Sequence, residues 1–401
     1  MNSPIPENPG ALKGVRVLDC SQMLAGPQCG MRLGDLGADV IKVEPPQGEW
    51  QRTHTIANAF LKTESTPYLG MNRNKRGFTI NLKAPEGLEL FYDLVRKSDV
   101  VLSNYRVGTT ERLKIDYARL AEINPRIICC SISGYGEEGP YAKRPGQDLL
   151  LQGYSGTLFS VGRKTDPPAP APFYAADVMT SYQACIAILG ALFARGQTGE
   201  GQNISVSMFS TVLDCQQQEF LTYLNTGQPP PRTDEPLANA WINAPYGIYE
   251  TKDGYLTLAM APLHILGEAL DNDRLREMTE WSDGAKHRDE VFRIVKARMP
   301  ERTTAEWIEH FDQYKIWSGP VHRYEDVDND PHVKATGMIA DIPHPTIGSY
   351  RQANVPVKMS GTPMRIDRHA PLLGEHTDEV LRDVLGYDED RIRSLRENKI
   401  V

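Results

Sequence analysis

The sequence lacks a long hydrophobic run, an excess of positive charge and a signal-peptide pattern. Its longest apolar run, residues 185–194, is about half the length that a membrane span needs. It contains 44 lysine and arginine residues against 52 aspartate and glutamate residues, a formal net charge of −8, which argues against a nucleic-acid-binding surface. The first ten residues have neither a basic nor an apolar region. We therefore expect a cytoplasmic protein with no membrane or nucleic-acid partner.

The cysteines and histidines show no spacing typical of a metal or redox site. There are six cysteines, most of them inside apolar segments: Cys20, Cys29, Cys129, Cys130, Cys185 and Cys215. The nine histidines are scattered, and no HExxH pair occurs. The cysteines are expected to be small core residues, and no catalytic metal is predicted.

The first 133 residues alternate between strand-like and helix-like segments. Residues 14–20 and 39–44 read as buried strands, and between them lies a helix with Pro27 near its first position. This pattern is a βαβ unit and predicts a parallel sheet in an α/β protein. Glu44 ends the second strand, but the turn after the first strand has no GxGxxG, so a dinucleotide site is not expected there.

The length of 401 residues predicts two domains or one large discontinuous domain. Proline-rich segments at 166–172 and 228–236 read as extended connectors. We predict a large α/β domain that begins with residues 1–227, a small α+β domain over 228–330, and a C-terminal part, 331–401, that returns to the large domain.

A helical segment, residues 175–195, carries an acidic residue at its start. Apolar residues recur at helical spacing after Asp177, namely Met179, Tyr182, Ile186, Leu189 and Phe193. This spacing places Asp177 at or near a helix N-cap, where N–H groups and the helix dipole would hold its carboxylate ionised. Taken alone, the segment favours a structural cap.

Two further motifs are ambiguous by themselves. Arg73, Lys75 and Arg76 crowd one turn, which is usually only a solvated surface. Gly134, Gly136 and Gly139 formally match GxGxxG, but Pro140 follows at once and no helix opens there to receive a pyrophosphate. The glycines are better read as a loop whose backbone approaches a ligand closely.

Several segments, in order over nearly the whole chain, resemble the family III CoA-transferases and the related α-methylacyl-CoA racemases. They are LKGVRVLDCSQMLAGP, LGADVIKVEPP, MNRNKRG, SISGYGEEGP, AADVMTS, RGQTGEGQNISVSMF and APLLGEHTDEVL. The resemblance implies a large α/β domain built from both chain ends, an inserted small domain and an interlocked homodimer. It also implies an enzyme that moves coenzyme A from an acyl-CoA to a small carboxylic acid.

The resemblance assigns roles to particular residues. Asp177 falls at the family's nucleophile, where a carboxylate with an ordinary pKa of about 4 would attack an acyl-CoA thioester without a base to activate it. Gln22 and Glu137 are the other catalytic candidates. The candidates for binding coenzyme A are Met23, Ala25, Asn72, Arg73, Lys75, Arg76, Asn104, Arg106, Gly134 and Gly136.

Two alternative functions remain open. The racemase branch uses a histidine where this chain has Gln147 and a glutamate where it has Ala261, and neither replacement exchanges protons. A protein that binds coenzyme A without turnover is the second alternative. The glycine-rich lid of formyl-CoA transferase has no equivalent in the short, proline-rich region 226–241, so formyl-CoA and oxalate are not the expected pair.

Overall fold

The computed structural model describes residues 10–236 and 238–401, so Leu237 and the segment 1–9, with most of the N-terminus examined for a signal peptide, lie outside it. The strands are β1 Arg16–Asp19, β2 Asp39–Glu44, β3 Phe60–Leu61, β4 Glu64–Ser65, β5 Lys75–Thr79, β6 Val100–Ser103, β7 Ile128–Ser133, β8 Gln202–Ser207, β9 Gly247–Glu250, β10 Tyr255–Leu258, β11 Ser318–Pro320, β12 Ile339–His344 and β13 Gly348–Ala353.

The helices of the described residues are mostly short. They are α1 Ala25–Asp35, α2 Thr66–Asn72, α3 Pro85–Arg96, α4 Thr109–Leu113, α5 Tyr117–Ile123, α6 Asp148–Tyr154, α7 Ala175–Thr198, α8 Met208–Asp214, α9 Gln217–Thr226, α10 Leu263–Leu270, α11 Asp273–Arg276, α12 Asp283–Lys286, α13 Arg288–Arg298, α14 Thr304–Gln313, α15 Tyr324–Asn329, α16 Pro331–Thr336, α17 Thr377–Asp383 and α18 Glu389–Glu397. Short 3-10 turns lie at Trp50–Arg52, Ile56–Asn58, Thr157–Phe159 and Met299–Glu301.

A six-stranded sheet with the order β5-β2-β1-β6-β7-β8 organises the larger part of the chain. All of its neighbouring strands pair in parallel. Alternate residues face opposite layers: Val17 packs in one core with α1 and α7, while Leu18 packs in the other with α3, α17 and α18. The α/β prediction is confirmed.

The chain divides into two compact units. The larger contains residues up to 151, 174–212 and 332–401, and the smaller contains 152–173 and 213–331. The N-terminal and C-terminal parts of the described chain therefore both belong to the larger unit. The smaller unit has an antiparallel sheet, β11-β10-β9, and its own hydrophobic core.

The unit boundaries differ from the sequence prediction at two segments. Residues 152–173 and 213–227 were assigned to the large domain, but their contacts group them with the smaller unit. The backbone of Ser160 accepts a hydrogen bond from Ala240 N at 2.8 Å, and Lys164 N donates to Thr233 O at 2.8 Å. In sequence, the proline-rich segment 166–172 resembles a free connector. Hydrogen bonds between residues so far apart along the chain cannot be predicted from that local pattern.

The buried face of helix α7 consists mostly of small side chains. Ala176, Ala184 and Ala191 share a core with α1, as does Ile188. Of the apolar residues whose spacing predicted the helix, Leu189 packs against this core, whereas Ile186 is 63% exposed and Phe193 73% exposed. By length and composition α7 also matches a membrane span, a test that core helices of soluble proteins pass too.

Candidate active site

A cavity of about 1110 Å³ opens in the larger unit at the carboxyl ends of three sheet strands. Its walls come from the turn after β1, the segment 104–107 after β6 and the end of β7. Residues 142–148, the first turn of α7 and parts of the segments 50–56 and 66–71 also line it. Open parallel sheets place ligands at this edge, so the cavity is the candidate active site.

Asp177 is the third residue of α7 and lines the cavity. It is not the N-cap, and the cap residue Tyr174 makes no capping bond through its side chain. The N–H groups of Ala176 and Asp177 donate instead to Asp148 Oδ1, at 2.7 and 3.3 Å. Asp148 begins α6 and is buried. Two carboxylates therefore meet at the start of α7.

The pKa of Asp177 differs from the sequence expectation. Burial is the largest cause that raises it, the charge of Asp148 adds to the effect, and the pKa reaches about 7. The expected value of about 4 assumed that the helix N-terminus would stabilise the charge of Asp177. Two of the N–H groups in that turn bind Asp148 instead. Near neutral pH a substantial fraction of Asp177 is therefore protonated.

The turn from Gln22 to Ala25 lines the cavity and is held rigidly. Asn104, which directly follows the neighbouring strand β6, holds this turn by two hydrogen bonds: its Oδ1 accepts from Gln22 N at 2.8 Å, and its Nδ2 donates to Gln22 O at 2.7 Å. Met23 has a positive φ of 67° and donates its N–H to Glu49 Oε2 at 2.9 Å. Among the described residues, the next amides, at 24–26 in the first turn of α1, have no acceptor. Amides without an acceptor can stabilise a negative charge that develops on a bound substrate.

The glycine loop contributes to the site only through its first glycine. Gly134 lines the cavity and packs against Gly146, since a Cβ built on Gly134 would lie 2.6 Å from the Gly146 Cα. Gly136 and Glu137 are outside the cavity lining. The carboxylate of Glu137 accepts a hydrogen bond from Ser131 Oγ at 2.5 Å. The proposed catalytic role of Glu137 thus remains a prediction that this geometry does not favour.

The basic turn is buried rather than exposed. Arg73 pairs with Asp35 at 2.8 Å, Lys75 with Asp19 at 2.7 Å and Arg76 with Asp39 at 2.6 Å. Within the described residues these side chains lie outside the cavity lining and have protein carboxylates as partners.

Asn72 is part of the same buried arrangement, because its Oδ1 accepts from Lys75 Nζ at 2.8 Å. Lys75 Nζ also donates to Pro27 O in α1, at 2.8 Å. Coenzyme A binding by the side chains of the basic turn stays a prediction, and their positions favour a structural role instead.

The cations that do reach the cavity come mostly from another segment. Arg106 was predicted from sequence, and the exposed Lys143 and Arg144 were not. Arg144 lies over the ring of Tyr141, 4.4 Å from its centroid. His54 also lines the cavity, stacked on Trp50. The sequence signal for Lys143 and Arg144 was their place just before the Pro145-Gly146 turn that leads into α6.

The two positions compared with the racemases belong to different units. Gln147 lines the cavity, whereas Ala261 belongs to the hydrophobic core of the smaller unit. In the described part of the chain, no three histidine, cysteine or acidic side chains are grouped so that they could hold a metal ion.

A sequence model described as CoA-transferase family III matches residues 12–377. The chain belongs to this family. Succinyl-CoA:glutarate CoA-transferase of Mus musculus is 34% identical over 96% of this chain and 88% of its own length. Succinate–glutarate CoA-transferase of Agrobacterium fabrum is 33% identical over 95% and 97%. A CAIB/BAIF family protein of Brucella suis has a TM-score of 0.81 and 29% identity, covering 94% of this chain and all of that one. The CoA-transferase assignment and the α/β fold are thereby confirmed.

Proposed function

We propose that this CoA-transferase moves coenzyme A from an acyl-CoA donor to a small carboxylic acid, with Asp177 as covalent nucleophile. The observation that carries the proposal is the position of Asp177, in the first turn of α7 at the cavity wall, with a pKa raised to about 7. A carboxylate of this basicity is a better nucleophile than an ordinary aspartate and is still ionised above neutral pH.

The reaction proceeds by two exchanges at one side chain. The carboxylate of Asp177 attacks the thioester carbonyl, the C–S bond breaks, and an acyl–aspartyl anhydride and CoA thiolate form. The thiolate attacks the Asp177 carbonyl and expels the donor acid, which leaves an aspartyl-CoA thioester. The acceptor carboxylate then repeats these two steps in reverse order and regenerates the Asp177 carboxylate. One thioester is broken and one is made, so no external energy source is needed.

The cavity contains groups suited to this chemistry. Each addition develops an oxyanion, and we assign to it the amides of Leu24 and Ala25, which line the cavity and have no acceptor among the described residues. The phosphates of coenzyme A require cations, and Arg106, Lys143 and Arg144 supply them at the exposed rim. No metal takes part in the proposed steps.

The substrate class is proposed from the relatives. The mouse and Agrobacterium relatives are named for succinyl and glutarate substrates, and a Chloroflexus aurantiacus relative, 32% identical, is named for succinyl-CoA and L-malate. We assign short dicarboxylic acids, with a second carboxylate that needs a cation, as substrates. A screen of succinyl-CoA with dicarboxylic and monocarboxylic acceptors tests this, and a preference for monocarboxylic acids would contradict it.

Trapping tests the covalent scheme directly. Enzyme mixed with succinyl-CoA and then hydroxylamine should carry a hydroxamate at Asp177, detected by peptide mass spectrometry. The Asp177→Asn variant serves as the matched control and should show neither adduct nor transfer. Transfer by wild-type enzyme with unmodified Asp177 would refute the scheme. Binding of coenzyme A without transfer to any acceptor would support a binding protein instead.

Racemisation of a branched acyl-CoA is a second candidate because the raised pKa of Asp177 also suits proton exchange. Against it, Gln147 in the cavity cannot titrate. Incubation of a 2-methylacyl-CoA in deuterium oxide without an acceptor acid distinguishes the two. Deuterium at the α-carbon would support racemisation, and the absence of deuterium there would exclude it.

We further propose a cytoplasmic homodimer. The apolar stripe of α7, which we define as Tyr182, Ile186 and Phe193, is exposed in the isolated chain. An exposed group of large apolar side chains often marks a protein–protein interface, and a second copy of this chain is the partner that the family resemblance implies. Light scattering of the Ile186→Lys, Phe193→Lys double variant should give a monomer where the wild type gives a dimer. A monomeric wild type would contradict the proposal.

A further inference from the structure

Asp148 joins the catalytic helix to the rest of the active site. Its Oδ1 accepts from Ala176 N at 2.7 Å and from Asp177 N at 3.3 Å, and its side chain is only 5% exposed. The first N–H groups of any α-helix have no acceptor within the helix. Asp148 therefore acts as a cap supplied from a different helix, 29 residues earlier in the chain than Asp177.

The segment that carries Asp148 is itself fixed to the sheet. Gly134 at the end of β7 and Gly146 are in backbone contact, because a Cβ on Gly146 would lie 2.4 Å from the Gly134 Cα. No larger residue fits at either position without moving the backbone. Two residues later the chain reaches Asp148 and begins α6. The end of β7 thus sets where Asp148 lies, and Asp148 sets where the first turn of α7 lies.

We propose that Asp148 is a positioning residue for the transfer reaction. It fixes the first turn of α7, and its negative charge makes Asp177 a more reactive nucleophile than Asp177 would be beside a neutral residue. The proposal rests on the proposed function of Asp177. It goes beyond that function in assigning the reactivity of the nucleophile to a second carboxylate that forms no bond with the substrate.

The charge of Asp148 acts in two ways. The Asp148 carboxylate accepts hydrogen bonds from amides that would otherwise stabilise a negatively charged Asp177. Its charge also repels the charge of Asp177 in surroundings that exclude most of the water. Burial and Asp148 are the causes of the raised pKa of Asp177. A more basic carboxylate forms the bond to the thioester carbon more readily. The other charged or titratable groups that line the cavity are His54, Tyr105, Arg106, Lys143, Arg144 and Tyr174.

Two neutral variants that retain a capping oxygen separate charge from capping. In Asp148→Asn and Asp148→Ser an oxygen is still available to the amides of α7, but the charge is gone. We expect the midpoint of the pH profile of kcat/KM to move to lower pH, on the order of one unit, and the plateau rate to fall. The melting temperature should change little. Glu138→Gln, which removes one charge from an exposed loop, is the control and should leave the midpoint in place.

The charge-retaining variant Asp148→Glu keeps the proposal falsifiable if the neutral variants fold poorly. It should keep the midpoint near that of the wild type. A wild-type midpoint in folded Asp148→Asn or Asp148→Ser, or an acid-shifted one in Asp148→Glu, would overturn the proposal.

Hydroxylamine trapping separates failure here from failure of the proposed function. If wild-type enzyme forms no adduct at Asp177, the covalent scheme itself is wrong. If wild type forms the adduct and the neutral variants keep its midpoint, the scheme stands and only the role of the Asp148 charge is refuted.

Discussion

Lys75 Nζ lies 2.7 Å from Asp19 Oδ2, and both side chains are fully buried beneath the active-site turn. Burial alone would raise the pKa of Asp19, but the charges of Lys75 and Lys42 outweigh it and lower the pKa below its ordinary value. The same ammonium also binds Pro27 O in α1. The pair therefore ties β1 and β5 to the helix that follows the Gln22 turn.

Removing one partner of this pair should unfold the protein more easily rather than weaken substrate binding. Lys75→Met leaves Asp19 charged and buried without its main partner, which costs about 3–5 kcal/mol. We expect a lower urea midpoint and a nearly unchanged KM for succinyl-CoA in the protein that remains folded. The double variant Lys75→Met, Asp19→Asn should regain part of the lost stability.

Arg106→Ala is the matched comparison because Arg106 is exposed at the cavity rim. It should raise the KM for succinyl-CoA and leave the urea midpoint unchanged. If Lys75→Met instead raised KM at full stability, the lysine would be a coenzyme A ligand, as the family resemblance implied.

The transfer rate should depend on pH through Asp177. Its pKa of about 7 means that the nucleophilic carboxylate is lost as pH falls below that value. We expect kcat/KM for the acyl-CoA to rise about tenfold per pH unit below the midpoint and to level off above it. The 3′-phosphate of coenzyme A titrates near pH 6, so the profile should be repeated with a dephospho-CoA ester. A rate independent of pH between about pH 5 and 9 would contradict the raised pKa.

The ionised carboxylate of Asp177 should also lower the free energy of unfolding at alkaline pH. A carboxyl whose pKa is raised from 3.8 to about 7 on folding binds its proton more tightly in the folded state. The contribution of Asp177 to stability is therefore greatest below about pH 4, declines as pH rises to about 7, and changes no further above it.

Asp177→Asn removes this titration. At about pH 8 we expect the variant to have a free energy of unfolding up to about 4 kcal/mol greater than wild type, and at about pH 4 nearly the same. Urea unfolding at the two pH values measures the difference, with Glu138→Gln as the exposed control. A gain of equal size at both pH values would show that charge is not its cause.

The parallel sheet was predictable because its strands β1, β2 and β6 are mostly apolar and buried, and helix-like segments alternate with them along the chain. The roles of individual polar residues were not. Arg73 and Lys75 look like a solvated turn in sequence, and their partners Asp35 and Asp19 lie 38 and 56 residues away. Only the folded backbone brings such groups together, so local pattern cannot distinguish a phosphate-binding cation from a buried one.

The pKa of Asp177 is a second property that local sequence pattern does not determine. Local spacing predicts a helix there and places Asp177 at or near its N-cap, and in the structure Asp177 is the third residue of α7. Its pKa depends on burial and on Asp148 across a loop, neither of which the helical pattern contains. The helical spacing also did not show that Tyr182, Ile186 and Phe193 are exposed, because the buried face of α7 consists mostly of small residues.

Gly134 should tolerate no side chain, although its φ is not in the left-handed region. A Cβ there would lie 2.6 Å from the Gly146 Cα, so Gly134→Ala must push the segment 145–148 away from β7. We expect a loss of about 1–3 kcal/mol in stability and a drop in kcat, since Asp148 moves with that segment.

Gly196→Ala is the control for this substitution, because nothing lies within 4 Å of its Cβ position in α7. In a helix interior the added methyl group should stabilise by about 0.5–1 kcal/mol and leave kcat unchanged. Urea unfolding and steady-state kinetics of both variants measure the contrast. A Gly134→Ala enzyme with wild-type kcat would show that the contact between the two glycines does not position the catalytic turn.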